Sequence, residues 1–134
     1  MPQASDSIWE DLVLSILSVN QYSLEKTYSA LEGLRREGLF EPENLISWSS
    51  EEIAFRLKQG GCGRGVFMTA LFGHRLSSLG HFLQSKGTKT CEEILRSGDS
   101  SAIQDLLLSV NGIGPRVLQN FFLMRGISVY RKDS

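Results

Sequence analysis

The sequence contains few of the residues that disulfide frameworks and metal sites require. Cys62 and Cys91 are the two cysteines among its 134 residues, too few for a disulfide framework or for a four-thiolate cluster. The two histidines, His74 and His81, have no carboxylate or thiolate at ligand spacing, so no metal and no cofactor are expected. The scarcity of cysteine favours a reducing intracellular compartment, the cytoplasm in a prokaryote, with the nucleus as an alternative in a eukaryote.

Long apolar segments are also absent. The strongest candidate, residues 12–19, is interrupted by Ser15 and Ser18, whereas a membrane-spanning helix needs about 20 predominantly apolar residues. The acidic residues Glu10 and Asp11 precede this segment, which is the opposite of the basic start of a secretory signal peptide. We therefore expect neither a membrane protein nor a secreted one.

The composition that remains is typical of one globular domain. Hydrophobic residues make up 41% and charged residues 22% of the chain, a balance that argues against disorder. The net charge of −1 conceals an asymmetry, because residues 1–55 hold three basic and ten acidic side chains, and residues 56–134 hold eleven basic and five acidic ones. The basic half indicates either a polyanionic partner or a solvated surface.

The spacing of apolar residues predicts an all-α fold, a compact multi-helix domain over residues 1–134. Apolar residues recur at spacings of three and four, and no segment alternates as a strand would. Capping-box patterns begin at Ser7, Ser49, Thr90 and Ser101. The longest helix is expected to present on one face Phe67, Ala70, Leu71, His74 and Phe82. The predicted helices are residues 8–19, 24–36, 42–48, 51–59, 66–84, 91–96, 102–110 and 115–124, before a tail at 128–134 with weak structural signals.

Residues 106–123 carry the most informative pattern, LLLSVNGIGPRVLQNFFL. The pattern predicts a helix that ends near Val110, a tight turn over residues 112–114, and a new helix that begins at Pro115, because proline suits the first helical turn. Apolar residues flank the turn on both sides at helical spacing. The alternative is an ordinary corner between two helices, where glycine is common.

The residues of this turn suit the binding of a phosphate group. Gly112 and Gly114 let the backbone bend sharply and approach a ligand closely. The unpaired N–H groups at the start of the next helix attract anions, and Arg116 adds a fixed positive charge beside them. Ile113 is expected to hold the turn against the core. Further candidates for phosphate contacts are Arg64, Arg75, Arg125, Arg131 and Lys132.

Residues 102–124 resemble the helix-hairpin-helix motif, which binds DNA backbones without reading their sequence. Two further segments resemble DNA glycosylases related to endonuclease III. The segment ILSVNQ at residues 16–21 is similar to the start of these enzymes. The glycine-rich turn at residues 60–65, with the long helix after it, is similar to their Gly-Phe-x-Arg-x-Lys-Ala segment. The resemblance covers residues 8–127.

The resemblance implies a helical domain whose partner is double-stranded DNA. In the family, the residues at the positions of Asn20 and Gln21 reach into the DNA. An equally weighted alternative is that these two residues form a polar cap at the end of the first helix. The residues implied to contact the duplex are Asn20, Gln21, Gly112, Ile113, Gly114 and Arg116.

Family enzymes excise damaged or mismatched bases with an aspartate that follows the hairpin, and bifunctional members add a lysine nucleophile. Arg116 occupies the lysine position here, and a guanidinium that stays protonated cannot form a Schiff base, so no lysine-type lyase activity is expected. Asp133, 19 residues after Gly114 (133 − 114), is the candidate catalytic aspartate, with a solvated tail charge as the alternative. The resulting hypotheses are a DNA-binding domain, an active monofunctional DNA glycosylase, or a helical protein–protein interaction module.

In family enzymes a second domain completes the active cleft. Seven residues precede the first predicted helix and few follow the last. We therefore expect a degenerate member that binds DNA, a chain that lacks its second domain, or a chain completed by another subunit. Apolar surface that normally meets the second domain is then exposed, or is covered by a homo-oligomer or a second subunit.

Overall fold

The computed structural model of the protein describes residues 8–18, 24–63 and 65–126. Every regular element in these ranges is a helix, so the predicted all-α class is confirmed. None of these helices is both long enough and apolar enough to cross a membrane. The helices, in chain order, are α1 (Ile8–Leu17), α2 (Leu24–Ser29), α3 (Leu31–Arg36), α4 (Pro42–Ser47), α5 (Ser50–Gln59), α6 (Val66–Lys86), α7 (Thr88–Arg96), α8 (Ser100–Leu108) and α9 (Pro115–Arg125).

Proline and glycine residues set several helix boundaries where the sequence predicts them. Pro42 and Pro115 are the first residues of α4 and α9. Gly38, with a φ of 77°, follows the end of α3. The single helix predicted over residues 24–36 is wrong, because the chain turns at Ala30, where φ is −96° and ψ is 5°, and forms two short helices instead.

Side-chain caps follow the predicted pattern at one helix and depart from it at two. The hydroxyl of Ser49 accepts a 3.1 Å hydrogen bond from the backbone N–H three residues later, as predicted. The caps predicted at Thr90 and Ser101 are wrong. Thr90 lies inside α7, and the carboxylate of Asp99 caps α8, accepting from the N–H groups two and three residues later at 3.1 and 3.2 Å. Ser7 lies outside the described residues.

The core is built around α1, whose ten residues are all buried. Two of them are carboxylates, and each accepts hydrogen bonds from an arginine: Glu10 from Arg35 at 2.7 and 3.0 Å, and Asp11 from Arg125 at 2.7 Å. The side-chain amide of Asn120 in α9 donates to two carbonyl groups at the end of α1, at 3.2 and 2.9 Å. These bonds compensate the desolvation of polar groups and fix α9 along α1.

The longest helix, α6, turns a different side to the core from the predicted one. Gly73 and Gly80 let α6 approach α5 and α4 closely: a Cβ on Gly73 would lie 2.7 Å from a carbonyl oxygen of α5, and one on Gly80 would overlap a carbonyl group of α4. The predicted face is wrong for Phe67, Ala70 and His74, which are exposed. The side that is buried instead carries Phe72, Leu76, Leu79 and Leu83.

Candidate functional site

The turn between α8 and α9 is anchored from the inside. The backbone N–H of Val110 donates to Leu107 at 3.0 Å, and the N–H of Ile113 donates to the carbonyl of Val110 at 3.1 Å. Gly112 has a φ of 94°, a conformation that residues with a side chain rarely adopt. The side chain of Ile113 is 7% exposed and belongs to the core. The conformation of the turn is therefore fixed by Ile113 and by the glycine that precedes it.

The outer side of the turn leaves polar backbone groups open. Gly114 is the N-cap residue of α9, and a Cβ built on it meets no atom within 4 Å. The first intrahelical hydrogen bond of α9 runs from the N–H of Leu118 to Gly114 at 3.3 Å, and no side chain in the described part of the chain caps the helix. The N–H groups of Arg116 and Val117 precede that bond, so they have no acceptor within α9.

A second arginine reaches this turn from α6. The Cγ atom of Arg75 lies 3.1 Å from the position that a Cβ of Gly112 would occupy. The guanidinium carbon of Arg75 lies 5.2 Å from the centre of the Phe72 ring, a cation–π contact that limits its movement. The turn is thus packed against an arginine that is distant in sequence.

Arg75 and Arg116 differ from the other arginines near the core in having no carboxylate partner in the described ranges. Arg116 is exposed and Arg75 is half-buried. By contrast, ion pairs to a glutamate or aspartate, with N···O distances of 2.6 to 2.9 Å, are formed by Arg35, Arg56, Arg96 and Arg125. Two uncompensated positive charges therefore lie at the turn between α8 and α9.

A shallow cavity of about 420 Å³ lies beside the turn. Arg116 supplies its charge, and the amide side chains of Gln104 and Gln119 supply neutral donors and acceptors. None of the described residues that line it is a carboxylate that would repel an anion. The remaining lining residues are Pro115, Leu118 and Phe122.

Arg125, one of the predicted phosphate contacts, has a structural partner instead. Its guanidinium donates to the carboxylate of Asp11 at 2.7 Å, and the Asp11 side chain is 7% exposed. Burial raises the pKa of Asp11 above its usual value, although the neighbouring Arg125 acts in the opposite direction. This pair joins the last turn of α9 to the first turn of α1 and does not face a ligand site.

The structure brings four of the predicted DNA-contacting residues together at one turn: Gly112, Ile113, Gly114 and Arg116. The other predicted site residues, Asn20, Gln21 and Asp133, lie outside the described residues. So do Arg64, Arg131 and Lys132. Arg75 gains its importance from its position against Gly112, and no local pattern in the sequence indicates that contact.

The described residues contain no cluster of three or more potential metal ligands. Both histidines, His74 and His81, are exposed. Cys62 and Cys91 are buried and do not form a disulfide with each other, and burial raises the pKa of Cys91. A buried thiol with a raised pKa is a poor nucleophile at neutral pH, so the turn between α8 and α9 is the better candidate site.

No family model, curated protein or solved structure matches this chain at a significant level. The function is therefore argued from the geometry and charge of this turn.

Proposed function

We propose that α8, α9 and the turn between them form a helix-hairpin-helix unit that binds the phosphate backbone of double-stranded DNA without reading its sequence. On this proposal the chain is a DNA-binding domain of the endonuclease III-like glycosylase type. The observation that carries the proposal is the start of α9, which is open at Gly114, has no side-chain cap among the described residues, and is flanked by Arg75 and Arg116, neither of which has a carboxylate partner among those residues.

The phosphate group suits this site because its negative charge is diffuse and its oxygens accept several hydrogen bonds. Open N–H groups at the start of a helix donate to such oxygens, and the helix dipole adds attraction. Gly114 permits close approach because no side chain stands between the backbone and the phosphate. The N–H of Ile113 already donates to Val110, so the proposed role of Ile113 is to hold the turn in shape rather than to contact DNA.

Sequence-independent binding of this kind is weak and depends on salt. Contacts to phosphates release counterions, and each contact contributes about −0.9 to the slope of log affinity against log salt concentration. The expected dissociation constant for non-specific duplex DNA is on the order of 10⁻⁴ to 10⁻⁶ M at physiological salt. Duplexes of different sequence are expected to bind equally well.

The proposal is tested by fluorescence anisotropy of a labelled duplex over a series of salt concentrations. Arg116→Gln and Arg75→Gln are each expected to weaken binding to all sequences and to reduce the salt slope by about one contact. Arg36→Gln is the matched control, because Arg36 is exposed on α3 and also forms no ion pair within the described ranges. Affinity that does not change with salt, or equal losses in the control, would refute the proposal.

A further inference from the structure

A groove of about 740 Å³ lies between α5 and the start of α6, away from the turn between α8 and α9. Small residues form most of its surface, and the side chain of Phe55 forms one of its walls. Phe55 is 57% exposed, and Phe67, in the first turn of α6, is 78% exposed. Of these two rings, that of Phe55 lines the groove, and an exposed aromatic ring beside an open groove is typical of a surface that a partner covers. The small groups that line the groove are Ala54, Gly61, Gly63, Gly65 and Ala70.

The charges on the exposed side of α5 indicate what kind of partner fits. Glu51 and Lys58 both line the groove, and neither forms an ion pair with another described residue. They are seven residues apart, which is two helical turns or roughly 10 Å along the axis. Their midpoint along the helix falls between Ala54, a small residue, and Phe55, an aromatic residue, which lie on the same side of α5. We call this exposed side of α5, formed by Glu51, Ala54, Phe55 and Lys58, the α5 stripe. Its charges lie at the two ends and its apolar residues lie in the middle.

The α5 stripe is complementary to itself when reversed. If a second α5 lies antiparallel across the first, each Glu51 faces the Lys58 of the other copy, and the two Phe55 rings meet near the twofold axis. A twofold interface requires that one surface match its own rotated copy. A partner of unrelated sequence would have to supply the same charge order by coincidence.

We infer that this groove and the α5 stripe form a twofold interface between two copies of the chain. The Phe55 ring of each copy packs at the twofold axis against the Phe55 ring of the other and against the edge of its glycine-lined groove, where the absence of side chains provides the space. Burial of Phe55 supplies most of the association free energy, and the two Glu51–Lys58 pairs select the antiparallel orientation.

This interface leaves the proposed DNA-binding turn accessible. Ala70 and Thr69 of α6 line the groove, whereas Arg75 of the same helix packs against Gly112. At 100° per residue, these two contact surfaces lie about 120° to 140° apart around α6. A dimer therefore presents two copies of the turn between α8 and α9, and this inference does not depend on whether that turn binds DNA.

Sedimentation velocity over a concentration series tests the interface in the full chain. Glu51→Lys and Lys58→Glu are each expected to weaken dimerisation about tenfold, since each replaces two attractive pairs with two repulsive ones. The double variant is expected to recover the wild-type affinity, because the swapped charges are again complementary. Glu93→Lys, at an exposed position of α7, is the matched control and is expected to leave the affinity unchanged.

The double variant also separates association from folding. Lysine near the start of α5 and glutamate near its end both oppose the helix dipole, so the double variant has the least favourable α5 of the series. Recovery of its dimer affinity cannot come from improved folding. A wild-type chain that is monomeric at every concentration, or a double variant as weak as the single ones, would overturn the inference, and so would a dimer unaffected by any of these changes.

Discussion

Replacement of Gly114 by aspartate is expected to stabilise the protein and to weaken its binding to DNA. Gly114 has extended backbone angles, φ −120° and ψ −170°, that suit any N-cap residue, and its Cβ position is open. Aspartate is better than glycine as an N-cap by a few tenths of a kcal/mol. Loss of glycine from the unfolded chain adds about 0.4–1 kcal/mol, and the helix dipole adds about 0.3–1 kcal/mol. A gain of about 1 kcal/mol corresponds to a Tm increase of roughly 3–5 °C for a chain of this size.

The same carboxylate is expected to repel a phosphate at the start of α9. Two unit charges of the same sign 4 Å apart near a protein surface repel each other by about 4 kcal/mol. A loss of about one third of that energy from the binding free energy lowers the affinity about tenfold. We therefore expect Gly114→Asp to bind duplex DNA at least tenfold more weakly. Gly114→Asn is the matched variant, since asparagine caps the helix equally well without the charge, and it is expected to lose less affinity.

Thermal unfolding by circular dichroism and DNA binding by fluorescence anisotropy give the two quantities independently. The diagnostic result is a Tm that rises while the affinity falls. If Gly114→Asp has a raised Tm and binds DNA as the wild type does, phosphate does not bind at this turn. If its Tm falls instead, the conclusion that the start of α9 has room for an N-cap side chain is wrong.

Further predictions concern the core and the chain end. Arg125→Ala is expected to lower the free energy of unfolding by about 3 kcal/mol in urea titrations, because Asp11 is left buried without its partner; a loss below 1 kcal/mol would contradict this. Because the pKa of Asp11 is raised in the folded state, its ionisation destabilises the fold, so stability relative to Asp11→Asn is expected to increase as the pH falls through that pKa. Urea titrations of both proteins from neutral to acidic pH measure the trend, and a decrease would contradict it. If the chain excises bases, Asp133→Asn is expected to abolish the abasic product formed from damaged oligonucleotides, and unchanged product would remove Asp133 from the reaction.

Local signals in the sequence were sufficient to predict most of the helices and the turn between α8 and α9. Pro42 and Pro115 mark helix starts because their fixed φ suits a helix, whereas their missing N–H and their ring are tolerated only in the first turn. Ser49 caps its helix through a bond to a residue three positions away. Gly112 has the positive φ that a tight turn between helices requires. Each of these effects depends on neighbours along the chain, so a single sequence contains the information.

Contacts between segments that are distant in the chain could not be predicted from the sequence. The buried side of α6 is decided by Gly73 and Gly80, which permit close approach to helices earlier in the chain, and apolar periodicity gives no weight to glycine. The position of Arg75 against Gly112 depends on a contact between segments that are distant in sequence. Asp99 replaced the predicted Ser101 as the cap of α8 because its carboxylate reaches two N–H groups at once.

The complete burial of α1 has a consequence for how the protein forms during translation. α1 is synthesised before α9, but hydrogen bonds from Asn120 to the carbonyl groups of Ser15 and Ser18 span 105 and 102 residues. The nascent chain must therefore carry an apolar helix without its final cover until α9 has left the ribosome. Such contacts between the ends of a chain slow folding, and exposed apolar segments promote aggregation. A ribosome-bound intermediate ending before Pro115 would be a natural substrate for chaperones that hold unfolded chains.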